Sequence, residues 1–141
     1  MTNHGGLPPF ELGFPGELRD RLVAAVLSGA KTTTTALLEQ YRAADEALPR
    51  PGERRALVDS DERPLAVVEV TDVRVLRLAE VDLRHALDEG EGYASVAEWR
   101  SAHEGFWHGE PSRAELGDPA FTVDDDTLVV TERFRVVLDA P

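Results

Sequence analysis

Apolar residues recur at helical spacing in the first third of the chain. Four of them share one side of a helix predicted over residues 17–28: Leu18, Leu22, Ala25 and Val26. Gly29 follows directly and suits a left-handed helix end. After Ala30 and Lys31 come four threonines, residues 32–35, which are poor helix formers and predict a turn or a helix entry. A second apolar repeat predicts another helix to about residue 47, which Pro49 then ends.

Alternation of apolar and polar residues predicts strands later in the chain. The longest such segments cover residues 65–78 and 127–138, with a shorter strand at 56–59 and another beginning at Phe121. Near the start of the 65–78 strand both faces are apolar except for Glu69. A carboxylate in that position is either paired, or lines a pocket, or faces water from an edge strand. The pattern leaves these alternatives open.

Between these strands the sequence predicts two helices and a loop. Residues 79–87 form a short amphipathic pattern, and Ser95 with Glu98 three residues later matches a capping box. The helix that Ser95 begins carries Trp99 and His103 on one face. Residues 108–120 are rich in polar residues, glycine and proline, and they predict a loop. The three aspartates at 124–126 predict a solvated turn.

Length and composition indicate a single globular domain. The chain has 141 residues, of which 42% are hydrophobic. Its first sixteen residues are rich in glycine and proline, so we expect a flexible lead-in over residues 1–16 and one domain over 17–141. With no cysteine, neither disulfides nor thiolate metal sites can form. No apolar run approaches the roughly 20 residues of a membrane span, and no signal peptide is evident, so a cytoplasmic location is expected.

The charge balance excludes one class of partner. Fifteen basic residues oppose 27 acidic ones, which gives a net charge of −12. Such a protein is repelled by a phosphate backbone at long range, so binding of duplex DNA is not expected. A role with nucleic acid would have to depend on a small local pocket. Lys31 is the one lysine among the fifteen basic residues.

Lys31 and the threonines after it combine an amine with several hydroxyl groups. One interpretation is a pocket floor where the amine lies beside a nucleophilic or ligand-binding hydroxyl, and the other is a helix cap with a surface lysine. His103 and His108 resemble a zinc-protease pair, but their spacing puts them on different helical faces. No metal site is therefore predicted, and His103 is expected to pack or to line a pocket.

Five short motifs follow one another along the chain. They are Gly29-x-Lys31-x-x-Thr34, Val68-Glu69-Val70-Thr71, Ser95-x-x-Glu98-Trp99-Arg100-x-x-His103, Phe121-Thr122 and Glu132-Arg133-Phe134. In this order the chain resembles ASCH-domain proteins, which share the PUA-like fold. The resemblance implies an α+β fold, namely a small, mostly antiparallel β-barrel flanked by helices, with a cleft beside the first helix exit.

The same resemblance implies two activities. Some small bacterial members are amidohydrolases of 4-acetylcytidine, and their lysine, threonine and glutamate fall on Lys31, Thr34 and Glu69. Longer members resemble this chain more in length and in the Trp-Arg helix, and they are RNA-binding proteins or metal-assisted ribonucleases. Their lysine also falls on Lys31, and their late hydroxyl residue falls on Thr122. Ala36 replaces an arginine of the acetylcytidine enzymes, which removes a ligand contact.

The favoured hypothesis at this point is a cleft for single-stranded RNA or a nucleotide, with ribonuclease activity. The alternatives are amide hydrolysis on 4-acetylcytidine-type nucleosides and a non-catalytic nucleoside-binding module. No membrane partner is expected, the chain is expected to be a monomer or homodimer, and a divalent cation is the one cofactor left open. The candidate ligand-binding residues are Tyr41, Trp99, Arg100, His103 and Arg133.

Each chemistry makes a different demand on Lys31. As a base for the Thr34 hydroxyl it needs its pKa depressed by burial, which a neighbouring Glu69 would oppose. As a stabiliser of phosphate charge it needs no shift. Both hypotheses require Lys31, Thr34 and Glu69 to converge on one cleft.

Overall fold

The computed structural model describes residues 6–139, and these form a mixed five-stranded sheet, curled into a half-barrel, with five helices around it. In chain order the elements are β1 (Pro9–Phe10), α1 (Glu17–Leu27), β2 (Thr33–Leu37), α2 (Leu38–Ala44), β3 (Arg54–Val58), β4 (Pro64–Arg77), α3 (Leu83–Asp88), α4 (Val96–Trp107), α5 (Glu110–Leu116) and β5 (Leu128–Asp139). A single 3₁₀ turn, Leu78–Glu80, precedes α3.

The strand order across the sheet is β1-β3-β4-β5-β2. β1 runs parallel to β3, and the other three pairings are antiparallel. The two long strands, β4 and β5, therefore lie side by side at the centre, while β2 forms one edge. The predicted α+β fold with a mostly antiparallel barrel and flanking helices is confirmed.

Local signals placed several elements correctly. The first helix ends at Leu27, and Gly29 takes the left-handed conformation expected of it, with φ of +85°. Ser95 caps α4 by accepting a hydrogen bond from the Glu98 N–H. The predicted long strands at 65–78 and 127–138 match β4 and β5 to within about a residue.

The threonine run is the first correction. Residues 33–37 form β2 rather than a turn or a helix entry, and they pair antiparallel with β5 from Thr33 opposite Arg133 to Leu37 opposite Val129. Branched side chains fit a pleated strand well, and an available partner strand decides the outcome. The second helix consequently begins at Leu38 and is shorter than predicted.

The region after α4 is the second correction. The predicted polar loop contains α5, which has a proline in its first turn and ends at Gly117 with φ of +68°. These are ordinary start and stop signals for a short helix. The strand predicted to begin at Phe121 is absent. Residues 121–127 connect α5 to β5 without regular structure apart from a turn.

Two apolar clusters hold the domain together. The first packs α1 and the N-terminal segment on the sheet and contains Phe10, Leu12, Leu22, Val23, Val26, Leu57, Ala66, Val68 and Phe134. The second packs the C-terminal helices on the other end of the sheet and contains Leu37, Leu78, Val81, Ala86, Trp99, Trp107 and Val129. Both tryptophans are thus core residues.

The part of the expected lead-in that the structure describes is packed on the domain. Phe10 and Leu12 are buried, and β1 pairs with β3. Residues 1–5 of that lead-in lie outside the described residues, as do Ala140 and Pro141 of the expected domain. Within residues 6–139, no helix has the length and apolar character needed to cross a membrane.

Candidate functional site

Lys31 is buried just after α1, with 2% of its surface exposed. Its Nζ donates to the Thr33 carbonyl at 2.8 Å and lies 3.6 Å from Glu89 Oε1 and 3.9 Å from Glu91 Oε2. The backbone fixes this arrangement, because the Thr32 N–H donates to the Asp88 carbonyl at 2.8 Å. The helix exit and the acidic segment after α3 are therefore joined at the site.

Glu89 is the centre of a buried polar network. Its Oε2 accepts hydrogen bonds from Thr35 Oγ1 at 2.6 Å and from Trp99 Nε1 at 2.9 Å. The Nε2 atoms of His85 and His103 each lie 3.3 Å from one of its oxygens. Burial alone would raise the pKa of Glu89, but the hydrogen bonds from the two histidines and the charge of Lys31 outweigh it and hold that pKa well below the usual range. Glu89 is therefore a fixed anion beside Lys31.

Glu91 has the opposite character. Burial, together with the negative charge of Glu89, raises the pKa of Glu91 despite the attraction of Lys31. The Tyr93 hydroxyl donates to Glu91 Oε1 at 3.5 Å, and burial with the nearby carboxylates raises the pKa of Tyr93 to about 12. A carboxyl group whose pKa moves toward neutrality can exchange a proton during a reaction. Glu91 is the better suited of the two acids for that task.

A third acid stands on the opposite strand. Glu132 of β5 is the register partner of Thr34 on β2, so the two side chains share one face of the sheet. Only 5% of Glu132 is exposed, and burial raises its pKa. The Tyr41 hydroxyl donates to Glu132 Oε2 at 3.4 Å, whereas Oε1 has no hydrogen-bond partner among the described residues.

These groups line one cavity of about 820 Å³, which is within the range of small-molecule sites. Its polar wall includes Lys31, Thr34, Tyr41, Glu89, Glu91, His103 and Glu132, and Phe10, Leu22 and Phe106 contribute apolar surface. Six glutamates line it against three arginines and one lysine. The cavity therefore carries an excess of negative charge.

Glu69 does not belong to this site, so the expected convergence of Lys31, Thr34 and Glu69 is wrong. It lies on the outer face of β4, where Arg54 donates to Oε1 at 3.1 Å and Arg135 donates to Oε2 at 3.2 Å. Both arginines occupy register positions opposite Glu69 on the neighbouring strands. Their hydrogen bonds lower the pKa of Glu69. The buried face of β4 is the other one, with Ala66, Val68 and Val70.

Of the other predicted residues, only Thr34, Tyr41 and His103 line the cavity with Lys31. Thr122 is exposed in the connection before β5. Arg100 pairs with Glu104 and Asp125, and Arg133 pairs with Asp88, all away from the cavity lining. Trp99 is fully buried and is held by Glu89, so its ring is not available to stack on a base.

Three of the site residues have the spacing of a metal triad. One ligand atom from each of Glu89, Glu91 and His103 lies within 4.8 Å of the others. Lys31 Nζ lies 3.6 Å from Glu89 Oε1 and 3.9 Å from Glu91 Oε2, so one positive charge is already beside the two carboxylates. His103 Nδ1 is engaged with the Trp99 carbonyl at 2.9 Å, which leaves Nε2 as the ring nitrogen beside Glu89. The sequence-based prediction of no metal ligand stays a prediction.

Five residues of the site were not predicted from the sequence, namely Thr35, His85, Glu89, Glu91 and Glu132. For two of them the sequence does contain a signal. His85 in α3 and Glu89 just after its end are four residues apart, a spacing that puts two side chains on the same helix face. Glycines also flank Glu91. Gly90 has φ of +70°, and a Cβ there would meet the backbone of Ala30 and Lys31. This close approach brings the acidic segment to Lys31.

Comparisons with known proteins agree on the fold. The family model described as the ASCH domain matches residues 11–138. A solved structure from Enterococcus faecalis is 27% identical with a TM-score of 0.80, covering 94% of this chain and 77% of that chain. An ASCH domain from Lactobacillus crispatus is 27% identical with a TM-score of 0.79, covering 93% and 79%.

A more distant structure has the same fold. An ASCH protein from Zymomonas mobilis is 11% identical with a TM-score of 0.52, covering 91% of this chain and 66% of that chain. No curated protein matches the sequence.

Proposed function

The chain belongs to the ASCH-domain family, and we propose that its cavity binds a nucleoside, free or as an unpaired residue of RNA, and hydrolyses an amide on its exocyclic amine, as in 4-acetylcytidine. One observation carries this proposal: the buried Lys31 is held between Glu89 and Glu91 in a cavity that Thr34 also lines. The family resemblance puts the glutamate of this set at Glu69, which lies outside the cavity, and we assign the place beside the lysine to Glu89 and Glu91 instead.

The character of the cavity supports a nucleoside rather than a phosphate as the bound group. Its volume of about 820 Å³ accommodates a base and a ribose. The excess of glutamates repels phosphate, whereas carboxylates and tyrosine hydroxyls pair well with the amino and hydroxyl groups of a nucleoside. The phosphates of an RNA strand would remain outside.

The chemistry follows from the charge states around Lys31. Because two carboxylates flank its Nζ, Lys31 acts as a positive charge and not as the base for Thr34. The Thr34 hydroxyl attacks the amide carbonyl, and Lys31 stabilises the oxyanion that forms. Glu91 takes the hydroxyl proton, directly or through one water, and returns it to the leaving amine as the C–N bond breaks. Water then hydrolyses the acyl-threonine to release the acid.

Glu89 has a positioning role in this scheme. Its hydrogen bonds from Thr35 and Trp99 fix it between the sheet and α4, and its contact with Nζ orients Lys31. Its low pKa makes it a poor proton acceptor, so it leaves the proton transfers to Glu91.

The ribonuclease hypothesis has weaker support. Thr122, on which the late hydroxyl residue of the longer family members falls, does not line the cavity, and neither do the candidate ligand-binding residues Arg100 and Arg133. Trp99, another candidate ligand-binding residue, is buried in the core. Ribonuclease activity is therefore the outcome to assay in parallel, with and without a chelator, rather than the favoured activity.

The test is release of acetate from 4-acetylcytidine, free and within a single-stranded oligonucleotide. We expect the wild type to be active and Thr34→Val to lose activity by about a thousandfold or more, since the nucleophile is gone while the shape is kept. Lys31→Arg should lose most activity because the guanidinium is larger and does not fit the buried position. Thr122→Val is the matched control and should keep full activity. A wild type that cleaves RNA and leaves 4-acetylcytidine intact would contradict the proposal.

A further inference from the structure

Glu132 carries an unsatisfied oxygen in the wall of the cavity. The residue is 5% exposed, and its Oε1 has no hydrogen-bond partner among the described residues. A buried carboxyl oxygen without a partner costs free energy, so an unpaired one in a native structure calls for a physical explanation. Glu132 is one of the residues that line the cavity. A ligand could supply the missing partner.

Neighbouring protein groups are committed elsewhere. Arg55, which also lines the cavity, donates from Nε to Glu53 Oε2 at 2.8 Å. Lys31 is engaged with the Thr33 carbonyl, Glu89 and Glu91. The Tyr41 hydroxyl donates its one proton to Oε2 of Glu132. None of these groups therefore satisfies Oε1.

The position of Glu132 relative to the proposed nucleophile defines what it would contact. Glu132 and Thr34 are register partners on adjacent strands, which puts their Cβ atoms about 5 Å apart on the same face. An exocyclic amide has its carbonyl carbon bonded directly to an N–H. If the carbon is within reach of Thr34, that N–H is within reach of Glu132.

We infer that Glu132 Oε1 accepts a hydrogen bond from the exocyclic N–H of the bound base, and that Glu132 thereby selects amino-substituted pyrimidines over uracil; this rests on the proposed function. Uracil carries a carbonyl oxygen at that position. Two acceptors would then face each other in a buried site, and neither could be satisfied by water. A site built around a buried hydrogen-bonding group rejects the mismatched ligand far more strongly than an apolar pocket does.

Calorimetric binding of cytidine and uridine to the full chain tests the inference without requiring catalysis. We expect the wild type to bind cytidine at least tenfold more tightly than uridine. Glu132→Gln should reduce that preference to about threefold or less, because its amide can turn its N–H₂ toward the uracil carbonyl. Glu132→Leu should remove the preference by weakening cytidine binding. Equal affinity of the wild type for the two nucleosides, or no binding of cytidine, would overturn the inference.

Two further measurements separate this role from a structural one and from the proposed function. Glu132→Gln keeps an oxygen that can accept from the Tyr41 hydroxyl, so its melting temperature should stay close to that of the wild type, and a clearly lower one would assign Glu132 a structural role and overturn the inference. Glu69→Gln, on the outer face of β4, should leave the cytidine preference unchanged. A wild type that prefers cytidine but does not hydrolyse 4-acetylcytidine would support the inference while contradicting the hydrolysis. Hydrolysis of 4-acetylcytidine by the wild type, together with an unchanged cytidine preference in Glu132→Gln, would support the proposed function and contradict the inference.

Discussion

Lys31 Nζ and Glu89 Oε1 lie 3.6 Å apart, and both side chains are almost completely buried. A buried ion pair is favourable only when hydrogen bonds satisfy its remaining atoms. Glu89 meets that condition through Thr35, Trp99 and two histidines, and Lys31 meets it through the Thr33 carbonyl. So many contacts hold one charged pair rigidly at the wall of a cavity, which is the preorganisation that a reactive site needs.

Removal of Lys31 should therefore be costly. Lys31→Met keeps the length of the side chain but leaves Glu89 as an uncompensated buried anion. We expect the free energy of unfolding to fall by about 3 kcal/mol or more, measured by urea denaturation. The exposed Arg63, which pairs with Asp61, provides a matched control, and Arg63→Met should cause almost no change. Equal losses of unfolding free energy in the two variants would show that the buried ion pair stabilises the fold no more than an exposed one does.

The pH dependence of stability should carry the signature of Glu89. Its pKa in the folded protein is held well below the unfolded value, so its contribution is present above the unfolded pKa of about 4.3 and is lost as the pH falls through the folded pKa. Glu89→Gln should be less stable than the wild type at neutral pH, and the difference should shrink in acid. Urea unfolding between pH 2.5 and 7 measures this. A difference that stays constant with pH would contradict the ionised state assigned to Glu89.

Replacement of Gly90 by alanine should disturb the same site and destabilise the fold. It has φ of +70°, and a Cβ would collide with the Ala30 carbonyl, so Gly90→Ala must move the acidic segment away from Lys31. We expect a loss of at least about 2 kcal/mol in unfolding free energy. Gly92 also has positive φ, but a Cβ there meets nothing within 4 Å, so Gly92→Ala reports backbone strain alone and should cost clearly less. Similar losses for both would rule out the contact as the cause.

The sequence predicted most of the fold because its signals are local. Alternation over β4 and β5, the Ser95 cap and the Gly29 helix end each depend on neighbouring residues. The threonine run and α5 were missed for the opposite reason. β2 exists because β5 lies beside it, and α5 is too short for a clear apolar repeat.

The site was only half predictable for the same physical reason. Lys31 and Thr34 stand out within one short segment, whereas Glu89 reaches Lys31 across 58 residues of chain, through a turn that Gly90 permits. The family resemblance puts the site glutamate at Glu69, and alternation cannot correct this because it does not tell which face of a strand is covered. The register of β4 with its neighbours places Arg54 and Arg135 beside Glu69, and register is not readable from a single strand.

Those two glutamates provide the most direct test of the central claim, which is that the cavity around Lys31 is the functional site. The measurement is the rate of acetate release from 4-acetylcytidine by Glu89→Gln and Glu69→Gln, each confirmed as folded by circular dichroism. Our account predicts that Glu89→Gln lowers the rate at least about a hundredfold, because Lys31 loses the partner that orients it, while Glu69→Gln keeps the wild-type rate. Loss of activity in Glu69→Gln with activity retained in Glu89→Gln would contradict the account and move the site to the outer face of β4.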